Sequence, residues 1–176
     1  MKKQHLEHLL RAAGKIVGDH QFIVIGSQSL HGKYPDLADD LCVSFEADLI
    51  SKNRPKETDL LNAIGIDSPF HQEFGFYADP VDINTAVLPK GWQGRLVNFE
   101  SPATDGVTGL CLDPHDLAIS KYVARRDKDI LFNREIVRRG LLDKSKLFDL
   151  LQATSIPNER RRAIETYIES DFARRT

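Results

Sequence analysis

The chain has 176 residues, 41% of them hydrophobic, enough to close one globular core and to carry a helical extension. It contains no run of about 18 apolar residues, which excludes a membrane-spanning helix; the N-terminal MKKQHLEHLLRAAGKIV has Glu7 and His8 where a signal peptide would be continuously apolar, so the expected location is cytoplasmic. The net charge of −2 divides into −7 over residues 1–120 and +5 over residues 121–176, a balance that suits an acidic metal-binding region beside a basic polyanion-binding one, or an ordinary protein with uneven charge.

Leu6, Leu9, Leu10, Ala13 and Val17 recur at helical spacing and predict an amphipathic N-terminal helix. FIVIG, Phe22 to Gly26, predicts a buried strand, and SQSLHGKY the first turns of a helix behind it. Pro35 and the polar DLADD mark a loop. LCVSFEADLI predicts a second strand. KETDLLNAIG predicts a helix stopped by Gly65. FHQEFGFYA reads as strand or loop, and Val81 to Leu88 as a third strand. Lys90-Gly91-Trp92 makes a turn, and RLVNFE and VTGLCL give two further strands. Then the pattern changes. Asp113 stands as an N-cap with Pro114 at the first helical position, and DPHDLAISKYVAR, DILFNREIVRRG, DKSKLFDLLQAT and NERRRAIETYIES predict successive helices. The expected fold is therefore α+β, with a mixed sheet flanked by helices over residues 1–112 and a helical part over residues 113–176 packed on that core. Cys42 and Cys111 lie far apart in apolar surroundings and predict buried, reduced thiols.

Glu46 and Asp48 stand two apart in a predicted strand, so both project from the same face. Two buried anions side by side need a positive partner, and a divalent cation such as Mg²⁺, which accepts a few carboxylates plus phosphate oxygens, meets that need. Asp82, early in the third predicted strand, would complete a cluster of three able to hold metal ions for phosphoryl or nucleotidyl transfer, if the two strands are neighbours. The alternative is that the acids alternate outward to solvent. Gly26-Ser27 closes the first strand where a helix opens, a place where backbone N–H groups approach a phosphate and a hydroxyl adds a donor. It is neither a P-loop, since no GK[ST] follows, nor a nucleophile elbow, since Gln28 occupies the serine position.

Ile25-Gly26-Ser27, then Glu46-Ala47-Asp48, then Asp82 together resemble the nucleotidyltransferase superfamily that includes DNA polymerase β. CLDPHDLAISKYVARRDKD is similar to a segment of nucleotidyltransferase-like proteins related to the AbiEii toxin class, through His115-Asp116-Leu117, Ser120-Lys121, Ala124, Arg126 and Lys128-Asp129. Glu46 replaces the usual aspartate, and Arg125 the usual glycine. The resemblance implies transfer of a nucleoside monophosphate from a nucleoside triphosphate to a hydroxyl on tRNA or protein, with Mg²⁺ or Mn²⁺. It implies that Gly26, Ser27 and Lys121 hold the nucleotide's phosphates. Glu46, Asp48 and Asp82 would ligate metal, with Asp82 also the base toward the acceptor, and Asp116 and Arg126 would orient their helix or touch the nucleotide. The competing expectation is a catalytically silent member acting as a binding module or antitoxin-like partner protein.

Among the remaining residues, His5 and His8 lie one turn apart and read as surface positions on the first helix. His31 and His115 read as structural. Trp92 is a hydrophobic cap or a base-stacking flap. Arg160-Arg161-Arg162, with Arg174 and Arg175, is a site for a polyanion such as tRNA or, with Glu159, Glu165 and Glu169 interleaved, a solvated face of i,i+4 pairs. The chain shows no histidine-rich ligand set of the kind a phosphohydrolase would need.

Overall fold

The computed structural model describes residues 1–36, 41 and 43–174 and divides into two compact units, one of Met1–Thr85 with Leu96–Asp113 and one of Ala86–Arg95 with Pro114–Thr176. Leu37–Asp40, of the predicted loop, Cys42, predicted as a buried thiol, and Arg175 lie outside the described residues.

In the first unit the N-terminal helix α1 (Lys3–Val17) buries Leu6, Leu9, Leu10, Ala13 and Val17, the stripe its spacing predicts. Five strands follow: β1 (Gln21–Ile25), β2 (Glu46–Ser51), β3 (Tyr77–Pro80), β4 (Val97–Phe99) and β5 (Thr108–Cys111), in the sheet order β3-β2-β1-β5-β4. β1 runs antiparallel to β2 and parallel to β5, β2 runs parallel to β3, and β4 antiparallel to β5, so the sheet is mixed as expected. Phe22 and Val24 of β1, Ala47 and Leu49 of β2 and Ala78 of β3 pack with the α1 stripe in one core. Each such side chain adds roughly 1.5–3 kcal/mol if large and fully buried. The alternation leaves Glu46 and Asp48 on the opposite face of β2, half-buried.

Asp19 pins the start of β1 to the end of β2. Its carboxylate accepts from Ser51 Oγ at 2.6 Å, Asn53 N at 2.9 Å, Asn53 Nδ2 at 2.8 Å and Gln21 N at 3.1 Å. Burial pushes the acid's pKa up, but these donors outweigh it and hold the carboxyl well below its usual range. Cys111 is a buried thiol, pushed up to about 12 by desolvation.

Several predicted elements are corrected. β2 begins at Glu46, and Val43 and Phe45 before it are exposed. Pro55–Ile64 is a 3₁₀ stretch, and Gly65 has φ −82°; a side chain there would come within 3.2 Å of the Asn62 backbone, so packing rather than a left-handed cap selects glycine. The segment read as strand or loop contains a helix, α2 (Pro69–Phe74), because Ser68 caps it by accepting from His71 N and Pro69 opens it. The third strand is Tyr77–Pro80, not Val81–Leu88. Pro80 ends the ladder, and the Asp82 carboxylate accepts from Asn84 N at 2.7 Å and Asn84 Nδ2 at 2.6 Å, folding Ile83–Thr85 into a 3₁₀ turn.

The second unit holds α3 (Pro114–Ala124), α4 (Asp127–Arg138), α5 (Lys144–Gln152) and α6 (Asn158–Ala173). Arg95 grips the buried Asp116 carboxylate through Nε at 2.8 Å and Nη2 at 2.7 Å, joining the 86–95 segment to α3. His115 Nε2 accepts from Asp143 N at 2.9 Å, which links α3 to the start of α5. Arg161 donates to the carbonyls of Leu151, Gln152, Thr154 and Ile156, and Arg160 to Val123 O at 2.6 Å. These two arginines satisfy carbonyls at the ends of α3 and α5 and in the loop that follows α5. Glu169 and Glu165 bond Lys144 and Gln152 of α5 rather than i,i+4 partners.

Among the described residues no helix is long and apolar enough to cross a membrane.

Candidate active site

The candidate site lies where β1 ends. Ile25 is the register partner of Asp48 on β2, so Gly26 leaves the strand beside that carboxylate. Gly26 adopts φ 70° and ψ −169°, a conformation open to glycine alone. A Cβ at Gly26 would lie 2.0 Å from Asp48 Oδ2. Residue type is thus fixed twice, by the backbone and by the carboxylate pressed against its α-carbon. Ser27 opens the 3₁₀ stretch Ser27–Gly32, which is held by Ser29 N at 3.2 Å and Ser29 Oγ at 2.8 Å, both donating to Gly26 O. The helical turns expected behind the Gly-Ser pair are this 3₁₀ stretch.

The parallel register of β2 and β3 sets Glu46 beside Tyr77 and Asp48 beside Asp79. Tyr77 Oη donates to Glu46 Oε2 at 2.9 Å, and its ring meets the His71 ring edge-on at 4.7 Å. Burial, the bond to Glu46 and the charges of Glu46, Asp79 and Asp48 push the Tyr77 phenol up to about 12. Three carboxylates therefore act on one hydroxyl, although no group of three or more His, Cys, Asp or Glu among the described residues is gathered tightly enough to hold a metal by itself.

Of the residues singled out by sequence, Gly26, Ser27, Glu46 and Asp48 meet at the ends of β1 and β2. Asp82 does not stand on a strand beside them; it is exposed in the turn after β3 and bonded to Asn84. The acid in register with Asp48 is Asp79, which the sequence reading missed. Its signal was present: Phe76 and Ala78 are buried, Tyr77 and Asp79 are half-buried, and Pro80 ends the run.

Lys121 belongs to the helical unit. Its ammonium pairs at 2.9 Å with Asp129, which is fully buried, and lies 4.5 Å from the centroid of the Phe132 ring. Arg126 Nε reaches the same carboxylate at 2.7 Å. Burial alone would raise the Asp129 pKa, but the bonds from Arg126 and Lys121 lower it. The Lys121, Arg126 and Asp129 positions of the recognised segment thus form a single ion-pair network.

His5 and His8 are half-buried rather than plain surface residues. His5 stacks on Phe76 at 4.5 Å, and His8 meets Phe70, Phe74 and Phe76 edge-on at 5.1, 4.6 and 5.8 Å. His31 is buried, with Nε2 3.1 Å from Met1 O.

The donor set at β2 and β3 suits Mg²⁺ arriving with its ligand. That ion takes one or two carboxylates and leaves its other positions to phosphates and water, and Asp48 and Asp79 supply adjacent carboxylates beside a Gly-Ser turn. A family model described as nucleotidyltransferase of unknown function (DUF6036) matches residues 4–171. No curated protein and no solved structure matches the chain.

Proposed function

The chain belongs to the nucleotidyltransferase family whose model spans residues 4–171, and on that premise we propose that it moves a nucleoside monophosphate from a nucleoside triphosphate to a hydroxyl acceptor on tRNA or protein. The observation that carries this is the seating of Asp48 against the α-carbon of Gly26, which sets a carboxylate directly beside a backbone turn fit for phosphates.

Gly26 and Ser27 would receive the triphosphate through backbone N–H groups and the Ser27 hydroxyl. Asp48 and Asp79 would hold Mg²⁺ or Mn²⁺, with Glu46 kept in place by Tyr77. The metal supplies positive charge to the phosphate oxygens when bound. Asp79 takes the role that the sequence reading gave to Asp82, accepting the proton of the acceptor hydroxyl as its oxygen attacks the α-phosphorus. The new O–P bond forms as the bond to the β-phosphate oxygen breaks, and pyrophosphate leaves. Lys121 is committed to Asp129 and has no part in this scheme. The test is transfer of α-phosphate label from each nucleoside triphosphate to tRNA or protein by the full chain. Asp79→Asn should abolish transfer and Asp82→Asn should spare it.

A second reading is a catalytically silent binding module or antitoxin-like partner protein. One observation favours it: Glu46 replaces the expected aspartate and is tied to Tyr77. Its mark would be tight capture of a protein partner with no metal-dependent nucleotide binding.

A further inference from the structure

A cavity of about 40 Å³ opens among α3, α4 and α6, with Lys121, Arg125, Asn133, Arg134 and Tyr167 in its walls. One water needs about 10–15 Å³ measured this way, so the space admits a compact group of several heavy atoms but not a nucleoside.

Two features of these walls are left unexplained by packing. Asn133 is 1% exposed; its Nδ2 donates to Ala118 O at 3.1 Å, which fixes the amide orientation, and its Oδ1 has no hydrogen-bond partner. A buried acceptor without a donor is costly. Arg125 adopts φ 52°, with its N–H donating to Lys121 O at 2.8 Å, in the left-handed position that closes α3. Glycine is the favoured residue there. The arginine instead lays its guanidinium over the Tyr167 ring, 3.2 Å from the centroid, and pairs with no carboxylate among the described residues. Both carboxylates bordering the cavity are compensated: Asp129 by Lys121 and Arg126, and Asp171 by Arg134 at 3.3 Å and the Tyr122 hydroxyl at 3.1 Å. The cavity therefore offers one uncompensated cation and one buried acceptor.

We infer that this cavity in the helical unit is a binding site for hydrogen phosphate. The cation calls for an anion, and the Asn133 acceptor calls for an anion that retains an O–H. Orthophosphate keeps such a proton near neutral pH; sulfate has none, and a phosphomonoester loses its last one above about pH 6. The inference is independent of the nucleotidyl-transfer reading, because the probe is a free ion and needs neither nucleotide nor metal.

The test titrates orthophosphate, sulfate and glycerol 3-phosphate into the full chain by calorimetry at about pH 7.5, above the monoester's second pKa. The expected result is saturable orthophosphate binding, with sulfate and the monoester at least about tenfold weaker, since neither offers Asn133 Oδ1 an O–H. Arg125→Gly should weaken orthophosphate at least about tenfold while leaving the melting temperature unchanged or raised, because glycine suits the left-handed backbone. Asn133→Ala should erase the preference for orthophosphate over sulfate; if that variant does not fold, Arg125→Gly decides. Absence of orthophosphate binding, equal binding of sulfate, or full binding by Arg125→Gly would overturn the inference.

Discussion

The Asp48 carboxylate rests on the α-carbon of Gly26, so closely that a methyl group placed there would stand 2.0 Å from Oδ2. Gly26→Ala should therefore act in two ways. It forces alanine into a left-handed φ of 70° and drives the Asp48 side chain away from the turn. Thermal unfolding should show a loss of roughly 1–3 kcal/mol. Nucleotide binding should fall further than stability alone accounts for. A variant as stable as wild type would show that the contact is not tight.

Register makes Asp79, not Asp82, the neighbour of Asp48. Separate Asp79→Ala and Asp82→Ala variants should differ sharply in metal-dependent nucleotide binding. Asp79→Ala should weaken it at least about a hundredfold, as losing a charged ligand worth about 3 kcal/mol implies. Asp82→Ala should change it less than about threefold, the asparagine turn being all that it loses. The reverse ranking would restore Asp82 to the site.

The buried Asp129 depends on Lys121 and Arg126 for its charge. Lys121→Met should destabilise the helical unit by about 3 kcal/mol, because it strips one partner from a buried anion. Adding Asp129→Asn should recover part of that loss, since the remaining group is then neutral. Chemical denaturation of the single and double variants measures the coupling. An additive double variant would mean that the pair contributes nothing.

His5 and His8 both have lowered pKa values. For His5 the causes are burial, then the N-terminal ammonium and Lys2; for His8 they are burial, then Arg11 and His5. A base lowered in the folded state binds fewer protons there than in the unfolded chain, so stability rises with pH until about pH 6.5, the unfolded value, is passed. Melting temperature should be higher at about pH 7.5 than at about pH 5.5. His31, lowered by burial, adds a slope of the same sign, so the double variant His5→Phe, His8→Phe keeps the aromatic packing and should lose part of that slope. An unchanged slope would place the titration elsewhere.

The apolar periodicities were legible in the sequence. α1, β1, β4, β5 and the four C-terminal helices stand where their patterns put them. The stretch from Pro69 to Leu88 was not, because local side-chain chemistry overrode pattern there. Ser68 and Pro69 start a helix in a segment of high strand propensity, and Asp82 bonds its own turn instead of entering a ladder. That shift of one strand moved the third acid from Asp82 to Asp79. The Lys121, Arg126 and Asp129 motif was visible as a pattern, but only the distances show that the three residues serve one another. Arg125 stands at a left-handed φ that suits glycine, a property no composition or spacing reveals.

The most direct measurement is calorimetric titration of ATP, GTP, CTP and UTP with Mg²⁺ or Mn²⁺ into the wild-type chain and Asp48→Ala. At least one nucleotide should bind to the wild type in a metal-dependent way and lose that binding in the variant. Equal binding by both chains, or no binding of any nucleotide to the wild type, would contradict the proposed nucleotidyl transfer.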